Sequence, residues 1–139
     1  MINKNQLIEY FYQGTKSKNK IKIGVEHEKF ILNKDTLLPV SYEEKNGIKN
    51  ILEKLTLTGW KPFYDDNQQT IIALKKEKEA ITLEPGGQIE LSGAPLDNIH
   101  ETCEETTNHL RDLKKLGNEF NFILLGMGVE PNLGLDDFP

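Results

Sequence analysis

Glu26 and Glu28 stand two residues apart in Gly24-Val25-Glu26-His27-Glu28-Lys29-Phe30, and Glu84 and Glu90 stand six apart in Leu83-Glu84-Pro85-Gly86-Gly87-Gln88-Ile89-Glu90-Leu91-Ser92-Gly93. Both segments alternate apolar and polar residues, as a half-buried β-strand does. An even spacing along a strand sends side chains to the same face. Four carboxylates converging on one face repel each other unless the face opens to water or cations neutralise it. Magnesium takes hard oxygen ligands and bridges carboxylates to nucleotide phosphates, and glutamates on rigid strands suit that role better than glutamates on loops. The competing reading of the same alternation is a plain solvated face.

The second segment must form a hairpin for these acids to meet. Glu84-Pro85-Gly86-Gly87 fits a type II turn, with proline presetting the second position and glycine accepting positive φ at the third. A loop over 85–87 places Glu84 opposite Gln88 and Thr82 opposite Glu90, all four on one side. Ile81, Leu83, Ile89 and Leu91 then share the core side. A one-residue bulge would break this register.

The remaining elements frame that hairpin. Asn3 and Gln6 form a capping box for a first helix with an apolar stripe of Leu7, Ile8, Phe11 and Tyr12, ending at Gly14. Residues 20–32 predict a strand carrying Glu26 and Glu28 opposite an apolar face. Ser41-Tyr42-Glu43-Glu44 predicts the start of a helix with Ile48, Ile51, Leu52 and Leu55 on one side, stopping near Gly59. Short strands follow from Trp60 to Ser92, including 70–74, 80–84 and 88–92, with turns at Asp65-Asp66-Asn67 and over 75–79. Asn98, with Glu101 three on, caps a long helix whose buried seam runs Ile99, Cys103, Thr106, Leu110, Leu113, Gly117, Phe120. Phe122-Ile123-Leu124-Leu125 reads as a fully apolar, central strand. Helices and hairpins mix without βαβ regularity. The expected class is α+β, a mostly antiparallel sheet with helices packed on one face.

Length and composition narrow the function. The chain has 139 residues, 37% hydrophobic and 28% charged, enough for one domain with a core. Its net charge of −5 argues against nucleic acid as a partner. No apolar run approaches the roughly 20 residues that span a bilayer, and the first residues lack a secretion signal. One cysteine allows no internal disulfide and makes a cytoplasmic location the default expectation. Among 17 basic residues only Arg111 is an arginine, the residue best suited to holding carboxylates and phosphates.

Other residues carry less. Cys103 on the apolar seam reads as a buried structural thiol. His100 and Cys103 have metal spacing, but two ligands do not make a zinc site. His27 points away from the glutamates, and Lys29 could reach that face only through a bulge. Asp65 and Asp66 read as turn residues. Gly126 and Gly128 are too close for a phosphate loop. Nothing resembles a sugar-stacking platform for a two-carboxylate glycosidase.

The same segments resemble a known family. Residues 24–30, then Ile81 through Pro95, His100-Glu101-Thr102-Cys103 and Gly126-Met127-Gly128, are similar to the glutamate–cysteine ligases of plants and many proteobacteria. The resemblance implies a glutamine-synthetase-like fold in which an antiparallel sheet forms a funnel-shaped site. It implies that ATP phosphorylates the γ-carboxylate of glutamate and that the amine of cysteine attacks the acyl phosphate, giving γ-glutamylcysteine for glutathione synthesis. Carried onto this chain, Glu26, Glu28, Glu84 and Glu90 become magnesium ligands or their neighbours. Glu84 and Gln88 are the catalytic candidates, Gln88 facing substrate. The partners are then glutamate, cysteine and ATP, with oligomeric state open. Family enzymes are longer, with a tryptophan-containing segment after Gly128 and arginines around the substrates, whereas this sequence runs out at Leu135-Asp136-Asp137-Phe138-Pro139. The expectation is therefore the incomplete N-terminal part of a catalytic domain. A different carboxylate–amine ligase on the same scaffold, or a shortened non-catalytic binding fragment, is the alternative.

Overall fold

The Pro85-Gly86-Gly87 loop and the alternation on either side of it produce the hairpin that organises the sheet. The structure, a computed structural model, describes residues 2–131 and 133–134, so the stretch 135–139 lies outside the described residues. Among the described residues the elements run α1 (Lys4–Gln13), β1 (Glu26–Asn33), α2 (Ile48–Thr56), β2 (Lys61–Tyr64), β3 (Ile71–Lys76), β4 (Glu79–Glu84), β5 (Gln88–Ser92), α3 (Ile99–Phe120) and β6 (Phe122–Leu125). Six strands form one sheet in the order β2-β3-β4-β5-β1-β6, antiparallel at every junction. This is the expected α+β class.

The β4–β5 register is the expected one: Glu84 faces Gln88, Leu83 faces Ile89, Thr82 faces Glu90 and Ile81 faces Leu91. Gly86 and Gly87 take φ of 80° and 78°, which no Cβ-bearing residue adopts cheaply, so the turn needs both glycines. Ile81, Ile89 and Leu91 are fully buried and pack with Leu74, with Ile51, Leu52 and Leu55 of α2, and with Leu113 of α3. The core therefore fills one side of the sheet, under α2 and α3, and leaves the other side for the acids.

Several expectations are corrected. The helix expected from Ser41 begins only at Ile48. Tyr42 turns inward and donates its hydroxyl to the Ile71 carbonyl at 2.7 Å, and the Ser41 and Tyr42 carbonyls accept from Ile48 and Lys49. That loop closes around Gly47, where a Cβ would lie 2.5 Å from the Ser41 oxygen. The strand expected from Lys20 starts at Glu26, preceded by a 3₁₀ turn over Lys18–Lys20 and a bridge between Ile23 and Leu96. The strand β6 lies at an edge rather than in the centre. Its apolar run covers two environments: Phe122 is buried on the helix side, while Ile123 remains 37% exposed on the other.

The seam of α3 is rotated in its first half. The buried residues are Thr102, His109, Leu113 and Gly117, and Cys103 is exposed rather than buried. Asn98 accepts from the His100 and Glu101 amides, Glu101 accepts from Asp97 N, and Thr102 Oγ1 donates to the Asn98 carbonyl. This capping fixes the helix entry so that Thr102 points inward. The capping box of α1 forms as expected, but none of its residues is buried, and Tyr10, Phe11 and Tyr12 are each more than two-thirds exposed.

Candidate functional site

Three cross-strand rows build the face opposite the helices. Glu28 lies directly opposite Glu90, which lies opposite Thr82. Glu26 lies opposite Ser92, and Ser92 opposite Ala80. Phe30 lies opposite Gln88, and Gln88 opposite Glu84. Directly opposed residues share a face, with Cβ atoms about 4.5–5.5 Å apart. All four predicted acids and Gln88 therefore lie on one side of three adjacent strands.

They do not form one tight cluster. With strands about 4.8 Å apart and a rise of about 3.4 Å per residue, Glu28 and Glu84 are separated by roughly 12 Å along the sheet. Among the described residues no three His, Cys, Asp or Glu side chains stand close enough together to hold a metal ion. The register instead divides the acids into Glu26, Glu28 and Glu90 around β1 and β5, and Glu84 beside Gln88 at the hairpin end.

Burial sharpens this division. Glu90 and Gln88 are each only 7% exposed, whereas Glu26 and Glu28 are open to water. The Ser92 hydroxyl donates to Glu90 Oε1 and orients that carboxylate. Thr82 Oγ1 and Gln88 Oε1 are buried with no hydrogen-bond partner. Two orphaned oxygens beside carboxylates are what a hard cation or a donor-bearing ligand satisfies. Magnesium normally takes one or two protein carboxylates and completes its shell with water and phosphate, so this mixed donor set fits it without a three-carboxylate cluster.

Sequence reasoning missed Ser92 as a positioning group, and it missed the basic end of the same face. Lys75 lies opposite Ala80, and Lys61 opposite Lys75, continuing the Glu26 row toward the edge strand. Lys75 Nζ sits over the Phe63 ring, 4.5 Å from its centroid. The pairing of β3 with β4 places Lys75 on the acidic face and that of β2 with β3 places Lys61 there, neither visible in local pattern.

The other candidates fall elsewhere. His27 and Lys29 face the helices, opposite Leu91 and Ile89. Lys29 is 3% exposed and donates to the His27 carbonyl at 2.9 Å; burial lowers its amine to about 8. His109 of α3 is also buried. Desolvation, with the Lys29 charge second, lowers its imidazole to about 4. Asp65 caps its turn, accepting from Gln69 and Thr70, bonds that hold its carboxyl below the usual range. Arg111 is exposed on α3 and donates to Asn108, on the helix side of the sheet.

The sequence around this face is shared with other proteins. Residues 22–137 match the profile of glutamate-cysteine ligase family 2 (GCS2). The chain belongs to that family. It is 41% identical over 138 residues to the chloroplastic glutamate–cysteine ligase A of Oryza sativa subsp. japonica, 42% over 139 to the chloroplastic enzyme of Nicotiana tabacum and 39% over 142 to that of Arabidopsis thaliana. Each alignment covers 99% of this chain but only 27%, 26% and 26% of the relative. The chain thus spans about a quarter of the length of the curated relatives it matches.

These relatives also correct the expected cytoplasmic location, since all three are named as chloroplastic. One cysteine in this stretch does not tell the cytosol from a plastid interior. Among the described residues no helix is long and apolar enough to cross a membrane.

Proposed function

We propose that this chain supplies the metal- and substrate-binding floor for ATP-dependent joining of the γ-carboxylate of glutamate to the amine of cysteine, the first step toward glutathione. The observation that carries the reading is the opposition of Glu28 and Glu90, flanked by Glu26 and by Glu84 with Gln88, on the open face of the sheet. A glutamine-synthetase-like funnel is the corresponding fold, with this face as one wall.

In this reading the opposed Glu28 and Glu90 would hold one magnesium ion whose shell water and phosphate complete, with Glu26 beside them, and Glu84 with Gln88 would hold a second or orient substrate. Bound magnesium would clamp ATP phosphates and screen them from glutamate's carboxylate. The chain's own residues do the rest. Ser92 keeps Glu90 in one rotamer. Gln88, buried with Oε1 free, presents an acceptor to a substrate amine. The apolar side chains of Phe30 and Leu32, both buried, keep water from one side of the row, which an acyl phosphate requires. Lys61 and Lys75 provide positive charge for phosphate at the far end of the row.

Supporting the ligase class are family membership and the relatives' names. A second reading, a cation- and nucleotide-binding unit without turnover, is favoured by the position of Arg111 behind the sheet. The deciding experiment measures magnesium-dependent binding of a non-hydrolysable ATP analogue, together with ADP release in the presence of glutamate and cysteine. Glu84→Gln and Glu90→Gln should each weaken the magnesium-dependent part at least tenfold. Unchanged binding in both variants refutes the site. Binding without ADP release favours the non-catalytic reading, and release with other amines in place of cysteine makes it a related carboxylate–amine ligase.

A further inference from the structure

Residues 2–24 are exposed without interruption. Within them α1 closes its own capping box but buries none of its residues. Among the described residues, the bonds that tie this arm to the sheet lie at its base. Ile23 exchanges backbone bonds with Leu96 at 2.8 Å, and Lys22 pairs with Asp97.

The arm is amphipathic. At about 100° per residue, Leu7, Phe11 and Ile8 of α1 form a continuous apolar strip. Tyr10 runs along one margin and Tyr12 along the other, while Asn5, Gln6, Glu9 and Gln13 occupy the opposite side. All five apolar and aromatic residues are exposed, Phe11 by 74%. A free helix of this length is marginal in water, and a contiguous exposed apolar strip marks a docking surface.

The arm is also basic. Residues 2–24 hold Lys4, Lys16, Lys18, Lys20 and Lys22 against Glu9 alone, a net +4; the whole chain is −5, so the remainder carries −9. Among the described residues Lys4, Lys16, Lys18 and Lys20 form no ion pair.

The occupant must therefore accept an apolar strip and also be anionic. The acidic part of a second copy, around α3 and the β3–β4 turn, meets only the second demand. Its carboxylates stand beside Leu55 and Trp60, which are already buried and offer little apolar area. A lipid–water interface meets both. Acyl chains cover Leu7, Phe11 and Ile8, tyrosines sit at headgroup level, and lysines meet anionic headgroups. Lys4 falls within the apolar arc at the first turn, where its stem reaches back to the headgroups.

We propose that residues 2–22 form a peripheral anchor on an anionic bilayer surface, with α1 lying in the interface and Lys16, Lys18 and Lys20 on the headgroups. The anchor goes beyond the ligase reading and uses none of its site residues.

The test is co-sedimentation of the full chain with phosphatidylcholine vesicles containing phosphatidylglycerol, at low salt and in EDTA so that no divalent cation bridges carboxylates to lipid. Binding is expected despite the net negative charge of the chain, with added amide-exchange protection in α1. Phosphatidylcholine alone should bind at least tenfold more weakly. High salt should release the protein, because screening shortens to about 3 Å at 1 M. Each lysine is worth about fivefold, so the triple variant Lys16→Gln, Lys18→Gln, Lys20→Gln should lose on the order of a hundredfold. The double variant Leu7→Ser, Phe11→Ser should lose at least tenfold. Neither variant removes a buried side chain, so urea unfolding should match wild type. No binding to anionic vesicles, equal binding to neutral ones, or wild-type binding in either variant would overturn the proposal. So would vesicle-independent self-association in sedimentation velocity that the double variant abolishes, which would assign the strip to a second copy.

Discussion

Glu28→Gln should make the protein more stable without magnesium and less stable with it. Glu28 faces Glu90 directly, and like charges at an opposed antiparallel position cost on the order of 0.2–1 kcal/mol. Water screens the exposed Glu28, but Glu90 is only 7% exposed, so relief of about 0.5–1 kcal/mol is expected in EDTA. Glutamine keeps the shape and removes the charge. A cation that binds only the folded state stabilises it by RT ln(1 + [L]/Kd), about 2.7 kcal/mol at a hundred times Kd. If losing one carboxylate weakens the site tenfold, the variant gains only about 1.4 kcal/mol at the same concentration. The initial lead then becomes a deficit of a few tenths of a kcal/mol or more. Urea unfolding reads both conditions, with Trp60, the only tryptophan and 7% exposed, as the fluorescent reporter. A variant equally or less stable in EDTA that keeps the full magnesium shift would refute the convergence of acids on this face.

Gly117→Ala sets helix propensity against packing. Alanine gains about 1 kcal/mol in a helix interior, but a Cβ here would lie 2.7 Å from the Phe122 carbonyl oxygen. The backbone of β6 cannot give way as a side chain could, so a net loss of about 1–3 kcal/mol is expected in urea unfolding, and a stabilised variant would deny the close α3–β6 approach. Lys29→Met should raise stability at pH 7 by about 1–2 kcal/mol, because the folded amine is lowered to about 8 from the usual 10.5 by burial. The unfolded chain binds more protons between those values, so wild-type stability should rise with pH from about 8 to 10.5 and the advantage of methionine should shrink. A variant no more stable than wild type at pH 7 would mean the ammonium is better compensated than its one hydrogen bond implies.

What could be read from sequence depended on how locally each feature is determined. The hairpin was legible because Pro85-Gly86-Gly87 fixes the loop length and the loop length fixes the register. Four acids and Gln88 followed from that register and from the alternation around Glu26. The first half of α3 was misread because its inward residues, Thr102 and His109, are polar, and a count of apolar positions passes over them in favour of Cys103. The edge position of β6 was hidden because an apolar strand looks the same whether both faces are covered or only one. Lys61, Lys75 and the Ser92–Glu90 bond depend on which strands become neighbours, and that choice is made by the whole sheet.

The crowding of acids on one face follows from the opposite face. Sliding β5 by one residue would separate Glu90 from Glu28, but it would also turn Ile89 and Leu91 outward and drive Gln88 and Glu90 under the helices. Each fully buried aliphatic side chain is worth about 1.5–3 kcal/mol, and both Ile89 and Leu91 are completely buried. Opposed like charges cost at most about 1 kcal/mol. The core therefore holds the register several-fold more strongly than repulsion opposes it, and the carboxylates stay aligned with no cation bound. In the proposed reading a cation would meet carboxylates already aligned by the register. Its binding energy would then go into coordination and charge neutralisation rather than into ordering the strands, an advantage of a sheet over loops for such a site.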